Sequence, residues 1–352
     1  MRAAVAAELE TLQPVLAARA HDITQALLPF RHEIREEYER NFPAGEHDGE
    51  AVIILTAGVP GAGKSTLVNT LDDRDSYREI DPDEFKKICL NVADREGLLD
   101  EWTSRTLSDG QQIQPGELAT LVHRLSTDLA DGLENDCFEQ QENFIRQGTF
   151  SWDGLPPYYL DSLRVVGGYE GYQVMAVEIG KDRAVEQAGD RWWQARVDGD
   201  PQARYLSPSV ITDMYPPQTD RYSTSLSNAV DLINRPESAD FDIARITILD
   251  RIDPDQPVTK AYDHNPDHDL TIDEIQRDVD VDRAATEPTT GPERSTGESL
   301  LDQIREIRRQ VDGLPATGTI TGDDDTGAPP SAAIEHNRPD LNVERGGQGT
   351  TL

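Results

Sequence analysis

The sequence predicts an α/β fold: a parallel sheet built around a phosphate-binding loop and covered by helices, with N-terminal helices before it and a disordered acidic tail behind. Three observations predict it. The stretch Gly58-Val59-Pro60-Gly61-Ala62-Gly63-Lys64-Ser65-Thr66 satisfies G-x-x-x-x-G-K-[ST] and follows the apolar run Ala51-Val52-Ile53-Ile54-Leu55. Strand and helix patterns then alternate to about residue 251, as in a sheet covered on both faces. After about Asp253, Pro, Gly, Asp and Thr dominate, and aromatic residues stop at Tyr262.

Taken in order, residues 1–45 read as helix. Leu9, Leu12, Val15 and Leu16 form one apolar face, Ile23, Leu27, Leu28 and Phe30 follow at compatible spacing, and Pro14 and Pro29 are expected to interrupt it. Ala51–Thr56 is the first strand, and a helix runs from Thr66 to Leu71. Tyr77–Ile80 is a short second strand that enters Asp81-Pro82-Asp83 and a helix through Phe85, Ile88, Cys89 and Leu90. Glu117–Glu139 carries Leu118, Leu121, Val122, Leu125, Leu129 and Leu133 at helical spacing. Asn143–Arg146 is a third strand. Tyr172–Ile179, nearly continuous in apolar residues, is a fourth and reads as a buried parallel strand. Helices are expected at Lys181–Val197, Ser207–Met214 and Asp220–Ile233, and a last strand at Ala244–Leu249. The chain therefore divides into an N-terminal helical segment (1–45), a nucleotide-binding domain (46–252) and a mostly disordered tail (253–352). Within the tail, Leu300, Leu301, Ile304, Ile307 and Val311 suit a short helix over 299–311, near the length limit for a lone helix in water.

With 67 acidic against 33 basic residues the formal charge is −34. Such a field repels nucleic acid and anionic membranes, so neither is an expected partner, and an anionic nucleotide must be caught by a local cluster of cations. Cys89 and Cys137 have no metal-ligand spacing and read as small buried hydrophobes in a reducing compartment. No leader pattern opens the chain and no apolar run approaches the ~20 residues of a membrane helix, so a cytoplasmic location is expected.

The loop carries the chemistry. Gly58, Gly61, Ala62 and Gly63 let successive backbone N–H groups point at phosphate oxygens, and the helix that opens at Lys64-Ser65-Thr66 adds a favourable dipole. Lys64 is placed to reach the β- and γ-phosphates and the Ser65 hydroxyl to ligate Mg²⁺, so ATP or GTP with Mg²⁺ is the expected bound species. Four other features fall at strand ends or on the helices that follow them, where ligands of open α/β sheets bind. Asp81-Pro82-Asp83 offers a carboxylate that can take the proton of a hydroxyl attacking the γ-phosphate, or simply a turn and helix cap. Gln147-Gly148-Thr149 offers a hydroxyl and exposed amides to a substrate, or an ordinary turn. Arg191, with Arg196 and Arg204 downstream, offers guanidinium forks for phosphate. The helix 117–139 turns His123, Asp128 and Asp131 outward, most simply as its wet face.

The ordered set GVPGAGKS, Ile80-Asp81-Pro82-Asp83-Glu84-Phe85, Gln147-Gly148-Thr149, then Arg191 and Arg204 with Asp200-Pro201-Gln202-Ala203 between them, resembles the zeta toxin family of toxin–antitoxin kinases over roughly residues 30–251. The resemblance implies a P-loop kinase-type sheet with added helices. It also implies an enzyme that phosphorylates the 3′-hydroxyl of UDP-N-acetylglucosamine with ATP or GTP, and an antitoxin protein as partner. Carried over by position, Lys64 and Ser65 match the nucleotide and Mg²⁺ residues, and Asp83 matches the catalytic base. Thr149 matches a threonine that contacts substrate, and Arg191 and Arg204 match two arginines that grip the phosphates. A substrate-contacting helix acid corresponds to Asp128 or Asp131. Two positions depart: the family's acid in E-G-T or D-G-T is Gln147 here, and an arginine two residues past the threonine is Ser151. The missing acid weakens any role in Mg²⁺ coordination, and the missing arginine removes a contact to substrate phosphate. Nucleotide binding is not threatened by either change; the acceptor is. A small-molecule kinase with another acceptor, or a nucleotide-binding regulatory module without transfer activity, are the competing readings.

Overall fold

The structure, a computed structural model, describes residues 1–45, 51–71, 73–217, 219 and 221–285. Its strands are β1 (Ala51–Ala57), β2 (Arg78–Ile80), β3 (Phe144–Arg146), β4 (Tyr169–Glu178), β5 (Ile243–Asp250) and β6 (Val258–Asp263). They form one six-stranded sheet in the order β2-β3-β1-β4-β5-β6. The first five are parallel, and β6 runs antiparallel to β5. The helices are α1 (Arg2–Leu27), α2 (Arg31–Asn41), α3 (Lys64–Val68), α4 (Pro82–Arg95), α5 (Asp100–Thr103), α6 (His123–Gln140), α7 (Leu155–Val166), α8 (Lys181–Val197), α9 (Pro208–Thr212), α10 (Thr224–Asn234) and α11 (Ile272–Ala285).

β1 is central because its residues can be buried on both faces. Ile53, Ile54 and Leu55 are all buried, and Ile53 pairs with Phe144 on one side and Tyr172 on the other. The shared direction of β1 to β5 puts their C-terminal ends on one edge, so Gly58, Asp81, Gln147, Ile179 and Arg251 emerge together. That edge is the site.

Several elements differ from expectation. Pro14 does not break α1, which runs unbroken from Arg2 to Leu27. The bond lost at the proline is offset by burial of Val5, Leu9, Leu16, Ile23 and Leu27 along one face. Pro29 does mark a break, a 3-10 turn at Leu28–Phe30 between α1 and α2. The expected helix 117–139 is two pieces: a 3-10 stretch Pro115–Val122, opened by a Gln114/Glu117 capping box and bent at Leu118, then α6. Helix α7 was not expected from the sequence. Its Leu155-Pro156-Pro157 start resembles a loop, yet prolines suit the first turn of a helix, where N–H groups have no partner.

The largest correction concerns the boundary at 252. β6 pairs with β5 from Asp250↔Val258 to Arg245↔Asp263, and α11 buries Ile275 and Val279 completely. Arg283 of α11 donates to the buried Asp250 at 2.5 Å. The expected tail is therefore folded in part between residues 258 and 285. These elements escaped notice because Val258 alone is buried in β6 and α11 turns mostly acids outward. The remaining tail and the short helix expected over 299–311 lie outside the described residues. Ile275→Ala is expected to destabilise the protein by about 2–5 kcal/mol, the usual cost of truncating a buried aliphatic side chain. A denaturant midpoint equal to that of the parent would mean that α11 contributes nothing to the fold. Among the described residues no helix is long and apolar enough to cross a membrane.

Candidate active site

The loop between β1 and α3 has the backbone its glycines permit. Gly58 has φ +133°, and a Cβ there would lie 2.4 Å from the Val177 carbonyl oxygen of β4. Only glycine allows β1 and β4 to converge at this point. The Lys64 ammonium donates to the carbonyls of Gly58 at 2.8 Å and Val59 at 3.2 Å, so it lies curled inside the loop. Ser65 and Thr66, in the first turn of α3, are exposed. Among the described residues no group of three or more His, Cys, Asp or Glu could cage a metal. The Ser65 hydroxyl, together with the phosphates of a bound nucleotide, could hold a divalent cation.

Burial pushes the Lys64 ammonium down to about 8, against the pull of Asp83 and Asp81. The sign for binding follows. A polyphosphate requires the charged form, so affinity is at its full value below pH 8 and declines as pH rises through that value, by up to about tenfold per unit. Calorimetric titration of ADP at pH 7.2, 8.2 and 9.2 should show this loss. A flat profile would mean that the ammonium is fully charged throughout.

At the end of β2, Asp81 caps α4: its Oδ1 accepts the backbone N–H of Asp83 at 2.8 Å, and Pro82 occupies the first turn. The Tyr38 hydroxyl accepts from the Asp81 N–H at 2.7 Å and donates to the Glu79 carbonyl, while its ring stacks on Phe85 at 3.7 Å. The N-terminal helices thereby fix the strand end that carries the acids. Asp83 accepts from Lys86 Nζ at 3.0 Å and is ion-paired with Arg204. Burial alone would raise the Asp83 carboxyl, but the Lys86 and Arg204 charges outweigh it and hold the group far below the usual range. Asp81 behaves oppositely: burial, then the Asp83 charge, raise it to about 6. His123, at the start of α6, is pushed down to about 4 by burial and by Lys86 and Arg204, so it is neutral near pH 7.

At the end of β3, Gly58 N–H donates to the Thr149 carbonyl at 3.0 Å, tying this turn to the loop. The Thr149 and Ser151 hydroxyls lie 2.9 Å apart. Between them, Phe150 is held at φ 57°, a left-handed conformation uncommon for such a residue, with Asn228 bonding its carbonyl at 3.0 Å. Gln147 is buried and donates to the Glu79 carboxylate, which is itself ion-paired with Arg74. The carboxylate that Gln147 meets thus comes from β2.

The three arginines have different surroundings. Arg191 is exposed on α8, one turn beyond Ala188, whose backbone nitrogen would lie 3.3 Å from a Cβ on Gly61. Arg204 meets Asp83. Arg196 is fully buried and ion-paired with Asp109 and Glu117, both at 2.7 Å, with Trp192 Nε1 also donating to Glu117. It is a strut between α8 and the 115–122 turn, unavailable to phosphate. The two helix acids also separate. Asp131 reaches Arg146 at 2.6 Å at the end of β3, whereas Asp128 is exposed and lies 3.8 Å from Arg124. Lys86 carries no motif in the sequence; its one local signal is its place a helical turn after Asp83.

The zeta toxin family model matches residues 36–224. Among solved structures, one from the PezAT chromosomal toxin–antitoxin system of the human pathogen Streptococcus pneumoniae is 17% identical, with 80% of this chain and 94% of that chain covered and a TM-score of 0.47. AvrRxo1-ORF1:-ORF2 with ATP is 13% identical, covering 84% and 79% of the two chains at a TM-score of 0.38. No curated protein sequence matches.

Proposed function

Since the chain belongs to the zeta toxin family, and is thereby a P-loop kinase of the toxin–antitoxin kind, we propose that it transfers the γ-phosphoryl group of ATP or GTP to a hydroxyl of a nucleotide sugar such as UDP-N-acetylglucosamine. The 3′-hydroxyl is the proposed acceptor, and the growth-inhibiting half of a toxin–antitoxin pair the proposed role. The observation that carries this reading is the ion pair between Asp83 and Arg204 on the same edge as the phosphate loop.

In this reading the loop amides and Lys64 hold the β- and γ-phosphates, and the Ser65 hydroxyl would hold a Mg²⁺ that offsets their charge. Arg191 and Arg204 neutralise the transferring group. Arg204 cannot serve Asp83 and a phosphate at full strength together. When the donor draws it away, Asp83 loses part of the field that depresses its basicity and becomes a better acceptor for the hydroxyl proton. Thr149 and Asp131 position the acceptor. Asp128, one turn earlier on α6, contacts only its distal part.

One observation favours a second acceptor class. Ser151 turns back onto Thr149 where the family carries an arginine, so this turn offers no cation to the phosphates of a nucleotide sugar. A small hydroxyl compound without a diphosphate is the runner-up. A nucleotide-binding module without transfer activity is the remaining reading. Incubating the purified protein with ATP or GTP and a panel of nucleotide sugars and hydroxyl metabolites, followed by mass spectrometry, separates them. A product 80 Da heavier than UDP-N-acetylglucosamine is the expected result; nucleotide binding with no product from any acceptor would sink the kinase reading for this chain.

A further inference from the structure

Arg183 and Arg251, two arginines without a part in the reading above, flank the phosphate loop. Arg251 follows β5 directly; its backbone N–H bonds the Glu178 carbonyl at 2.7 Å and its Nη1 donates to the Ala62 carbonyl at 2.9 Å. A Cβ on Gly63, which has φ +98°, would lie 2.5 Å from that same nitrogen. Arg183 stands in the first turn of α8. With the Gln187 amide turned to satisfy both neighbours, Gln187 donates to the Gly61 carbonyl at 3.0 Å and accepts from Arg183 Nε at 2.8 Å. Arg251 is thereby anchored to the loop at Ala62, and Arg183, through Gln187, at Gly61.

Neither has an acidic partner among the described residues, and Arg183 Nη1 is buried without any hydrogen-bond acceptor. In a chain with twice as many acids as bases, two neighbouring arginines that avoid carboxylates are conspicuous. A buried N–H of a charged group left unpaired costs free energy, and two like charges side by side add to that cost. Burial and the Arg183 charge both lower Arg251. An anion from outside the chain is the group that relieves both.

The sheet order decides which anion. Asp83, Thr149 and Asp131 lie with β2 and β3, on one side of β1. Arg183 and Arg251 lie with β4 and β5, on the other. A triphosphate whose γ end points to the acid side must run its α-phosphate and nucleoside out on the β4–β5 side. We propose that Arg183 and Arg251 bind the α-phosphate of the donor nucleotide, with Arg183 Nη1 taking one of its oxygens. This rests on the donor reading above and extends it to two residues to which the resemblance gives no role.

The test is calorimetric titration with ADP and with inorganic pyrophosphate, using the full chain and its Arg183→Ala and Arg183→Lys variants. Arg183 touches the loop through Gln187 alone, so its removal spares the loop better than removal of Arg251. Arg183→Ala should weaken ADP by about 10–100-fold, the range for one charge-assisted hydrogen bond. Pyrophosphate, which fills the two loop positions without an α-phosphate, should bind as before. Arg183→Lys should recover ADP affinity only in part, a point charge lacking the fork. ADP affinity within twofold of the parent in Arg183→Ala would overturn the inference and leave the kinase reading standing. Equal losses for ADP and pyrophosphate would also overturn it, by showing that the arginine merely braces the loop. Failure of the parent protein to bind ADP would remove the donor reading and this inference with it.

Discussion

Lys64→Ala is expected to abolish phosphoryl transfer while leaving the protein folded. The ammonium is the only cation that the loop itself supplies, and its two present acceptors are the carbonyls of Gly58 and Val59, groups that a β- or γ-phosphate oxygen would displace. Losing one preorganised charge donor at the transferring group costs typically 10²–10³-fold, and a full positive charge belongs at the upper end or beyond. Stability should move the other way. Burial already pushes the group down to about 8, so the folded state bears a cost for keeping it charged that alanine removes. The melting temperature of the variant should equal or exceed that of the parent, and its single-turnover rate should fall below detection. Growth inhibition on expression, if the parent shows it, should vanish in parallel. A fully toxic Lys64→Ala would show that the toxicity does not come from phosphoryl transfer.

The loop, its strand and the acid-tipped second strand were legible because each is written in consecutive residues. Ala51 to Thr66 contains the strand, the turn that only glycine permits and the helix start, and no distant residue is needed to recognise them. What was not legible depends on pairing between distant segments. Arg191, Arg196 and Arg204 look alike on paper, yet Arg196 is consumed by Asp109 and Glu117 while Arg204 reaches back 121 positions to Asp83. Gln147 reads as a lost acid until the register of β2 on β3, with Glu79 opposite Ile145, brings the Glu79 carboxylate to its amide. The edge elements failed for a different reason. β6 and α11 each bury so few side chains that their periodicity is submerged in the acidic composition around them. Arg183 and Arg251 gave no local signal either, because what marks them is that no carboxylate among the described residues pairs with them in space.

Asp83→Asn is expected to lower the single-turnover rate by about 10²–10⁴-fold, the usual contribution of a positioned general base, without weakening nucleotide binding. Asparagine keeps the size of the side chain and much of its hydrogen bonding. It removes the carboxylate that now occupies Lys86 and Arg204, so Arg204 is freed for phosphate and donor affinity should hold or improve. The competing base is Asp81, which at about 6 is the more basic of the two in the free protein. Geometry argues against it: its Oδ1 is engaged with the Asp83 N–H as the cap of α4, and the group is directed along the helix start. Asp81→Asn should therefore cost stability through the cap, about 1 kcal/mol, and reduce the rate far less. Arg204→Ala gives the third measurement. Without that guanidinium the Asp83 carboxyl rises toward its ordinary value, so the acid limb of the rate profile should move to higher pH even as the maximal rate falls. Single-turnover rates and nucleotide Kd for the three variants, measured from pH 5 to 8, separate base from cap. Near-normal turnover in Asp83→Asn together with a collapse in Asp81→Asn would transfer the role to Asp81.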